Sequence, residues 1–451
     1  MNNSSGLSER FRTFTERAEK PRPLVVEGKL SRMVGLTLES VGCVAAVGDR
    51  CDIRRPNGSA VPAEVVGFNA DRLLLMPIGE VRGLGPGAPV VPVGRGGQMP
   101  FGPGLFGRVL NGQGTPLDGR GPLINTSVES VLRAPLNPML RRPVNEPFDV
   151  GVGAINALLT LGEGQRIGLF AGSGVGKSML LSMMTRFSNA DVVVVALIGE
   201  RGREVGDFIS QTLGPGGLER AIVVAAPADD PPLMRLHGAE LATSLAEAFR
   251  DEGKRVLLLM DSLTRYAQAQ REVGLAVGEP PTTRGYPPSV FAKLPQLAER
   301  AGNGTDEGGG SITAVYTVLT EADEQVDPIG DAARAILDGH IVLSRELAER
   351  GHFPAIDIEA SVSRALNAVV KPEQLQRIHR FRQSLATYRQ HQDLISVGAY
   401  VRGTNPEVDR AIAQYPAFMN YLRQDYQSAR TMEESLDGLA RLFDVPVGDV
   451  E

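Results

Sequence analysis

Residues 171–178 read Ala-Gly-Ser-Gly-Val-Gly-Lys-Ser, an order of residue types suited to holding a polyphosphate. Gly172, Gly174 and Gly176, with Ser173 and Val175 between them, let successive backbone N–H groups turn toward phosphate oxygens. Lys177 offers a point charge to the β- and γ-phosphates, and Ser178 a hydroxyl ligand for Mg²⁺. The strict pattern has Gly where Ala171 stands; Ala is compatible there if the residue still belongs to a strand. Two carboxylates complete a candidate reaction centre. Asp261 ends the apolar run RVLLLMD, where a carboxylate can hold Mg²⁺ through its water shell. Glu200 lies in IGERGREV at 198–205, directly after another apolar run, and can orient an attacking water. Arg201 or Arg203 can face the γ-phosphate; the alternative is a surface ion-pair cluster. The chemistry these residues suit is hydrolysis of a nucleoside triphosphate.

Such residues need a frame. Between about 96 and 370, continuous apolar runs at 166–170, 192–198, 221–225, 256–260, 312–319 and 340–343 alternate with helical stretches. Runs without polar alternation predict strands buried on both faces, hence a parallel sheet flanked by helices. The glycine-rich loop falls between the strand RIGLF and the helix SMLLSMMTRF, the context a phosphate loop requires. The segment AGNGTDEGGG at 301–310 predicts a mobile connection.

The flanking regions have a different texture. From 22 to 95, short apolar stretches (24–26, 41–47, 63–68, 73–77, 89–93) separated by turn residues predict a small β-barrel or sandwich. From 371 to 451, Leu375, Ile378, Phe381 and Leu385 recur at helical spacing and predict a helical domain. Its first helix carries Arg377, Arg380, Arg382 and Arg389 against Glu373, which reads as a solvated face in preference to a surface for an acidic partner. Residues 6–20 place Leu7, Phe11 and Phe14 on one helical stripe, stopped by Pro21 and Pro23. That helix either docks back on its own domain or offers its stripe to a partner.

Composition narrows the function further. A chain of 451 residues has room for about three domains. With 47 basic against 53 acidic residues the net charge is −6, which argues against a dedicated nucleic-acid binder. Between 22 and 95 the sole aromatic is Phe68, too few to build a stacking platform for single-stranded RNA. Cys43 and Cys51 make no disulfide framework, so a reducing cytosolic setting is expected, with no secretory leader and no membrane span.

The segments AGSGVGKS, IGERGREV, LLLMDSLTRYAQAQREV, PPTTRGYPPSVFAKLPQLAERAG and FPAIDIEASVSR together resemble the flagellar and type III secretion ATPase family, relatives of the catalytic subunit of rotary ATP synthases. The resemblance spans about residues 22–451. It implies an α/β chain with a RecA-like P-loop core (96–370), an N-terminal β-barrel (22–95), a C-terminal helical domain (371–451) and an N-terminal partner-binding helix (1–21). It implies ATP and Mg²⁺ as substrate and cofactor. Lys177 and Ser178 match the phosphate and Mg²⁺ residues, Glu200 the water-activating glutamate and Arg201 the arginine beside it. Glu204 matches a carboxylate near the Mg²⁺ water shell, Asp261 the acid after the apolar strand, Phe353 an aromatic packing on adenine, and Arg364 an arginine finger. The resemblance also implies a homohexameric ring; because one chain carries both Glu200 and Arg364, identical neighbours set head to tail would complete each site. A non-catalytic nucleotide-binding subunit would lack an acid at position 200. The further partners implied are a stator-like regulator on the N-terminal helix, a stalk-like protein in the ring pore, and chaperone–cargo complexes with an export gate. The expected location is cytoplasmic, peripheral at the membrane export apparatus, with no nucleic-acid partner. Residues 271–290 are a candidate pore-facing stretch, or a rigid Pro-rich connection. Val397-Gly-Ala-Tyr400 resembles the flagellar branch, with the injectisome branch as the alternative.

Overall fold

The computed structural model describes residues 26–131, 133, 135–320 and 327–444. The proposed helix at 6–20 lies outside them. The chain divides into two compact units, Met1–Gly96 and Gly97–Glu451.

The first unit is a closed barrel of β1 (Gly28–Val34), β2 (Thr37–Val41), β3 (Asp49–Arg54), β4 (Ala60–Asn69), β5 (Arg72–Pro77) and β6 (Pro89–Arg95), in the order β1-β2-β5-β4-β3-β6. Closure leaves no unpaired edge. The core is Leu30, Leu38, Cys51, Ile53, Val61, Ala63, Val65, Leu75 and Val90. Two strands escape the sequence reading. GKLSRMV and DRCDIR contain no continuous apolar run, and only alternate residues such as Gly28 and Leu30, or Cys51 and Ile53, turn inward. The expected strand at 41–47 is instead the end of β2 followed by a loop, with Val44 and Val47 exposed.

The second unit carries β7 (Gln98–Phe101), β8 (Val109–Leu110), β9 (Ser127–Ser130), β10 (Pro147–Phe148), β11 (Leu161–Gly162), β12 (Arg166–Ala171), β13 (Val192–Ile198), β14 (Ala221–Ala226), β15 (Arg255–Asp261), β16 (Gly302–Asn303), β17 (Ser311–Leu319), β18 (Gly339–Leu343) and β19 (Ile356–Ser363). Its main sheet runs β19-β18-β12-β17-β15-β13-β14-β8, with β16 beside β17. From β18 through β8 the neighbours are parallel. Every residue of β13 and β14 is buried, as continuous apolar runs require. The sheet is not wholly parallel, however: β19 closes one edge antiparallel to β18. β19 (IDIEASVS) alternates instead of running apolar, because one side faces the helices and the other is partly open.

Helices α1 (Lys177–Phe187), α2 (Gly202–Asp207), α3 (Pro232–Asp251), α4 (Leu263–Ala276), α5 (Pro328–Ile336), α6 (Pro372–Ser396), α7 (Pro406–Leu422) and α8 (Met432–Asp444) complete what positions the site. The last three follow the sheet. Ile378, Phe381 and Leu385 of α6 are buried, and Phe381 stacks on Phe418 of α7 at 4.2 Å. The basic face of α6 is only partly solvated. Arg382 donates to the Ser361 carbonyl at 3.0 Å, and Arg389 pairs with Glu359 at 2.9 Å, so two of its arginines brace β19.

The segment 301–310 is tied down, in contrast to the mobile connection its glycines predict. Gly304 N–H donates to Gly310 O at 2.8 Å, Gly310 N–H to Arg250 O at 2.7 Å, and Arg142 to the Gly309 carbonyl at 2.8 Å. Its glycines serve close packing: a Cβ on Gly310 would stand 2.0 Å from the Lys254 carbonyl oxygen. Gly310→Ala should therefore lower stability by about 2–4 kcal/mol, seen as a thermal midpoint several degrees below that of the parent chain. An unchanged midpoint would show the segment free to move.

Candidate active site

Strands β12, β13 and β15 all end at the carboxyl edge of the sheet, where open α/β folds take their ligands. β12 ends at Ala171, so the Ala is strand as the loop pattern needs, and the chain turns through residues 172–176 into α1. Gly176 caps α1 at φ 93°, a left-handed conformation glycine adopts without strain. No side chain caps that helix. Its first N–H groups therefore face the loop, with the positive end of the helix dipole behind them. Leu197 of β13 stands in register with Asp261 of β15, which brings the Ile198-Gly-Glu200 turn beside that carboxylate.

The result is a tight charge cluster. The Lys177 ammonium donates to Asp261 Oδ1 at 2.6 Å and to Glu200 Oε1 at 3.0 Å. Asp261 Oδ1 also accepts from the Thr317 hydroxyl of β17 at 2.6 Å. Burial depresses the Lys177 ammonium, but the Asp261 and Glu200 carboxylates outweigh it and hold its pKa above the ordinary value. Burial raises the Asp261 carboxyl, and the lysine and threonine bonds oppose that rise. Chemically, this is one cation shared between two acids at the mouth of an anion-binding loop.

The other residues singled out by the sequence lie at graded distances from this cluster. Phe353 is 45% exposed, and its ring passes so close to Gly176 that a Cβ there would stand 3.4 Å from it. It is thus an open aromatic face against the phosphate loop. Its carbonyl accepts from Gln424 N–H at 3.1 Å, while the buried Gln424 side chain bonds Gly153 N–H at 2.8 Å and the Gly151 carbonyl at 2.8 Å. The segment after α7 therefore fastens the Phe353 backbone. Ser178 is exposed in the first turn of α1. Arg201 and Glu204 are not drawn into the cluster: they pair with each other at 3.6 Å on the surface, the arginine side chain 85% exposed. Arg364 lies elsewhere altogether. It follows β19, and its N–H bonds the carbonyl of Asp338, just before β18, so it sits at the amino edge of the parallel strands. Six residues of β12 at about 3.3 Å each separate that edge from the loop, roughly 20 Å.

Thr317 and Gln424 had no sequence signal. Thr317 is one hydroxyl inside an apolar run, and Gln424 acts only through tertiary contacts. Ser178 and Asp261 offer hard oxygen donors, the set Mg²⁺ takes when phosphates and water fill its other positions. Among the described residues, no group of three or more His, Cys, Asp or Glu could hold a metal by itself.

Comparison with known proteins places the chain among nucleotide-binding and secretion ATPases. A family model described as ATP synthase alpha/beta family, nucleotide-binding domain, matches residues 151–363. One for the T3SS EscN ATPase C-terminal domain matches 370–441. A "Flagellum-specific ATP synthase" of Pseudomonas aeruginosa is 57% identical over 442 residues, covering 97% of this chain and 98% of the relative. A "Type 3 secretion system ATPase" of Sinorhizobium fredii is 48% identical over 419 residues, covering 93% and 92%. The assembled ATPase EscN of the enteropathogenic E. coli type III secretion system superposes with a TM-score of 0.86 at 43% identity, covering 92% of this chain and 99% of that one. The same enzyme in complex with its central stalk EscO gives 0.84 at 42% identity, with the same coverage.

The shared cation makes a pH-dependent prediction. In Lys177→Ala, Asp261 and Glu200 face each other without a counter-charge, and the buried Asp261 carboxyl is raised still further. An acid whose folded pKa exceeds its unfolded value of about 4 binds its proton more tightly when folded, so stability falls as pH rises through that window. The thermal midpoint of Lys177→Ala should drop more, relative to the parent, at pH 8 than at pH 5.5. Equal drops at both values would mean the cluster carries no such charge conflict.

Proposed function

The chain belongs to the ATP synthase alpha/beta family, among its flagellar and type III secretion ATPases, and from that premise we propose how its residues divide the work of ATP-driven protein export. The chemistry is hydrolysis of Mg·ATP. The loop N–H groups and Lys177 hold the phosphates and Phe353 packs on the adenine; Ser178, and Asp261 through the metal's water shell, would hold the Mg²⁺ that travels with the nucleotide, and Glu204 would reach that shell on leaving its surface pair with Arg201. Bound Mg²⁺ neutralises charge on the β- and γ-phosphate oxygens. Incoming phosphates compete with the two carboxylates for the Lys177 ammonium. As the ammonium transfers, Glu200 is freed to accept a proton from the attacking water. The water oxygen bonds to the γ-phosphorus as its bond to the bridging oxygen breaks, giving ADP and phosphate. Arg201 requires a turn away from Glu204 to face the γ-phosphate.

The carrying observation is that Lys177, Glu200 and Asp261 meet at one edge of the sheet while Arg364 sits at the other. An arginine roughly 20 Å away has no reach to its own chain's phosphate, so it serves a neighbour's. A head-to-tail ring of identical chains supplies each site with one, an arrangement worth about 10³–10⁵ in rate for this device. The assembled state of EscN supports the ring, and its complex with a central stalk supports a stalk partner for this chain too. The flagellar reading is favoured by relatives at 57% and 56% identity that carry the flagellar name; the injectisome is the alternative. Further proposed partners are a stator-like regulator at residues 1–21 and chaperone–cargo complexes at the export gate. Cytoplasmic residence with peripheral attachment at the membrane is the matching location; among the described residues no helix is long and apolar enough to cross one.

Two measurements test this division. Glu200→Gln should bind ATP with near-parental affinity and lose at least about 10²-fold in turnover; retained turnover would remove Glu200 as the base. Specific activity of the parent chain should rise steeply with protein concentration. A verified monomer that turns over as fast as the oligomer would refute the shared site.

A further inference from the structure

The seat of Arg364 is built from the junction between α5 and β18. One guanidinium nitrogen, Nη2, donates to the backbone carbonyl of Arg334 at 3.1 Å, and the Arg364 N–H donates to the Asp338 carbonyl at 3.0 Å. Guanidinium carries five N–H donors, so this bond leaves most of them free to meet a phosphate. Both carbonyls belong to a five-residue stretch that is itself clamped to β12. At one end, Asp338 accepts from the Arg166 N–H and Nε at 3.0 Å each, and from Nη2 at 3.2 Å. At the other, the Arg334 guanidinium carbon lies 4.5 Å from the centre of the Phe170 ring. Phe170 is 2% exposed and immediately precedes Ala171, where the phosphate loop begins. Its ring leans back across Gly168, where a Cβ would come within 2.6 Å of it, and it meets the His340 ring in an edge-to-face contact with centroids 5.6 Å apart. The cation therefore has a ring held in one orientation, the condition for a specific cation–π contact.

We propose that Arg334 is a positioning residue for Arg364: its side chain, anchored on Phe170, sets the carbonyl on which the finger guanidinium rests. This rests on the reading of Arg364 as a finger that acts in a neighbour's site. Arg334 also pairs with Asp331 at 3.3 Å, three residues before it on α5. That pair is exposed and contributes little, so the aromatic contact is the operative one. A single strand, β12, thus holds the loop of a chain's own site at its end and braces the finger the same chain lends away.

The test uses full-length rings. Arg334→Ala should lower kcat about 10- to 100-fold, the scale on which a misplaced reacting group is felt, with KM for ATP little changed. Arg334→Lys, which keeps a cation over the ring, should retain most of the rate. Asp331→Ala should match the parent. Arg334→Gln keeps length without charge, should fail as the alanine variant does, and serves in its place if that variant misfolds. The deciding readout is mixing with Glu200→Gln. An Arg334→Ala subunit keeps its own loop and acid, and a Glu200→Gln neighbour lends it an intact finger. Mixed rings should therefore be more active than the sum of the two unmixed populations, as should rings of Arg364→Ala with Glu200→Gln. If Arg364→Ala is rescued by mixing and Arg334→Ala is not, the positioning role is wrong while the finger stands. If neither is rescued, the finger reading fails and this proposal with it. Full activity of Arg334→Ala alone would also overturn it.

Discussion

Everything at the carboxyl edge of the sheet is organised by one ammonium group between two carboxylates. Lys177, Glu200 and Asp261 come from three separate segments, and each is far from the others in sequence. Their side chains are 13%, 14% and 6% exposed, so an unpaired charge here would be costly. The geometry is affordable to the fold only because the strands that deliver the three groups are rigid. β12, β13 and β15 are buried along nearly their whole length, and Thr317 of the neighbouring β17 adds a hydroxyl bond to the most buried of the acids. The same electrostatics that hold the apolar strand ends together give a phosphate its foothold. In the proposed mechanism a triphosphate replaces the carboxylates as partner of the lysine, and that exchange releases an acid for proton transfer.

A second constraint follows from the direction of the strands. Parallel strands gather their carboxyl ends at one edge and leave the other edge to whatever closes the sheet. Here the closing strand is β19, antiparallel, and it delivers Arg364 to the amino edge. The loop and Arg364 are therefore separated within one chain by the length of β12, and under the proposed finger role only a copy brings them together. On that proposal, assembly is a requirement of the chemistry. The sheet topology would then make each chain a donor on one side and an acceptor on the other.

Much of this was legible in the sequence. The loop, Asp261 and Glu200 could be read because each sits where a continuous apolar run stops, and such runs mark buried parallel strands. The barrel was visible as short strands, but GKLSRMV and DRCDIR were not, since a barrel strand buries only alternate residues and these alternate with charge. β19 was missed for the same reason, and β8 because two residues carry no period. The glycines of 301–310 suggested freedom, whereas they permit backbone to pass against backbone. Arg201 and Glu204 were placed near the site by motif, yet their side chains take the surface. The supports of the site, Thr317, Gln424 and Arg334, act through contacts between distant segments, which no local pattern records.

The most direct measurement is an electron cryomicroscopy structure of the assembled chain loaded with a Mg²⁺-bound, non-hydrolysable ATP analogue. The distance to read is from the Arg364 guanidinium of one copy to the terminal phosphate held by its neighbour. The account predicts hydrogen-bond contact, about 3 Å, with Lys177 of the receiving copy moved from its carboxylates onto the phosphates. A ring in which Arg364 points to solvent, and every group around the terminal phosphate comes from one chain, would contradict it.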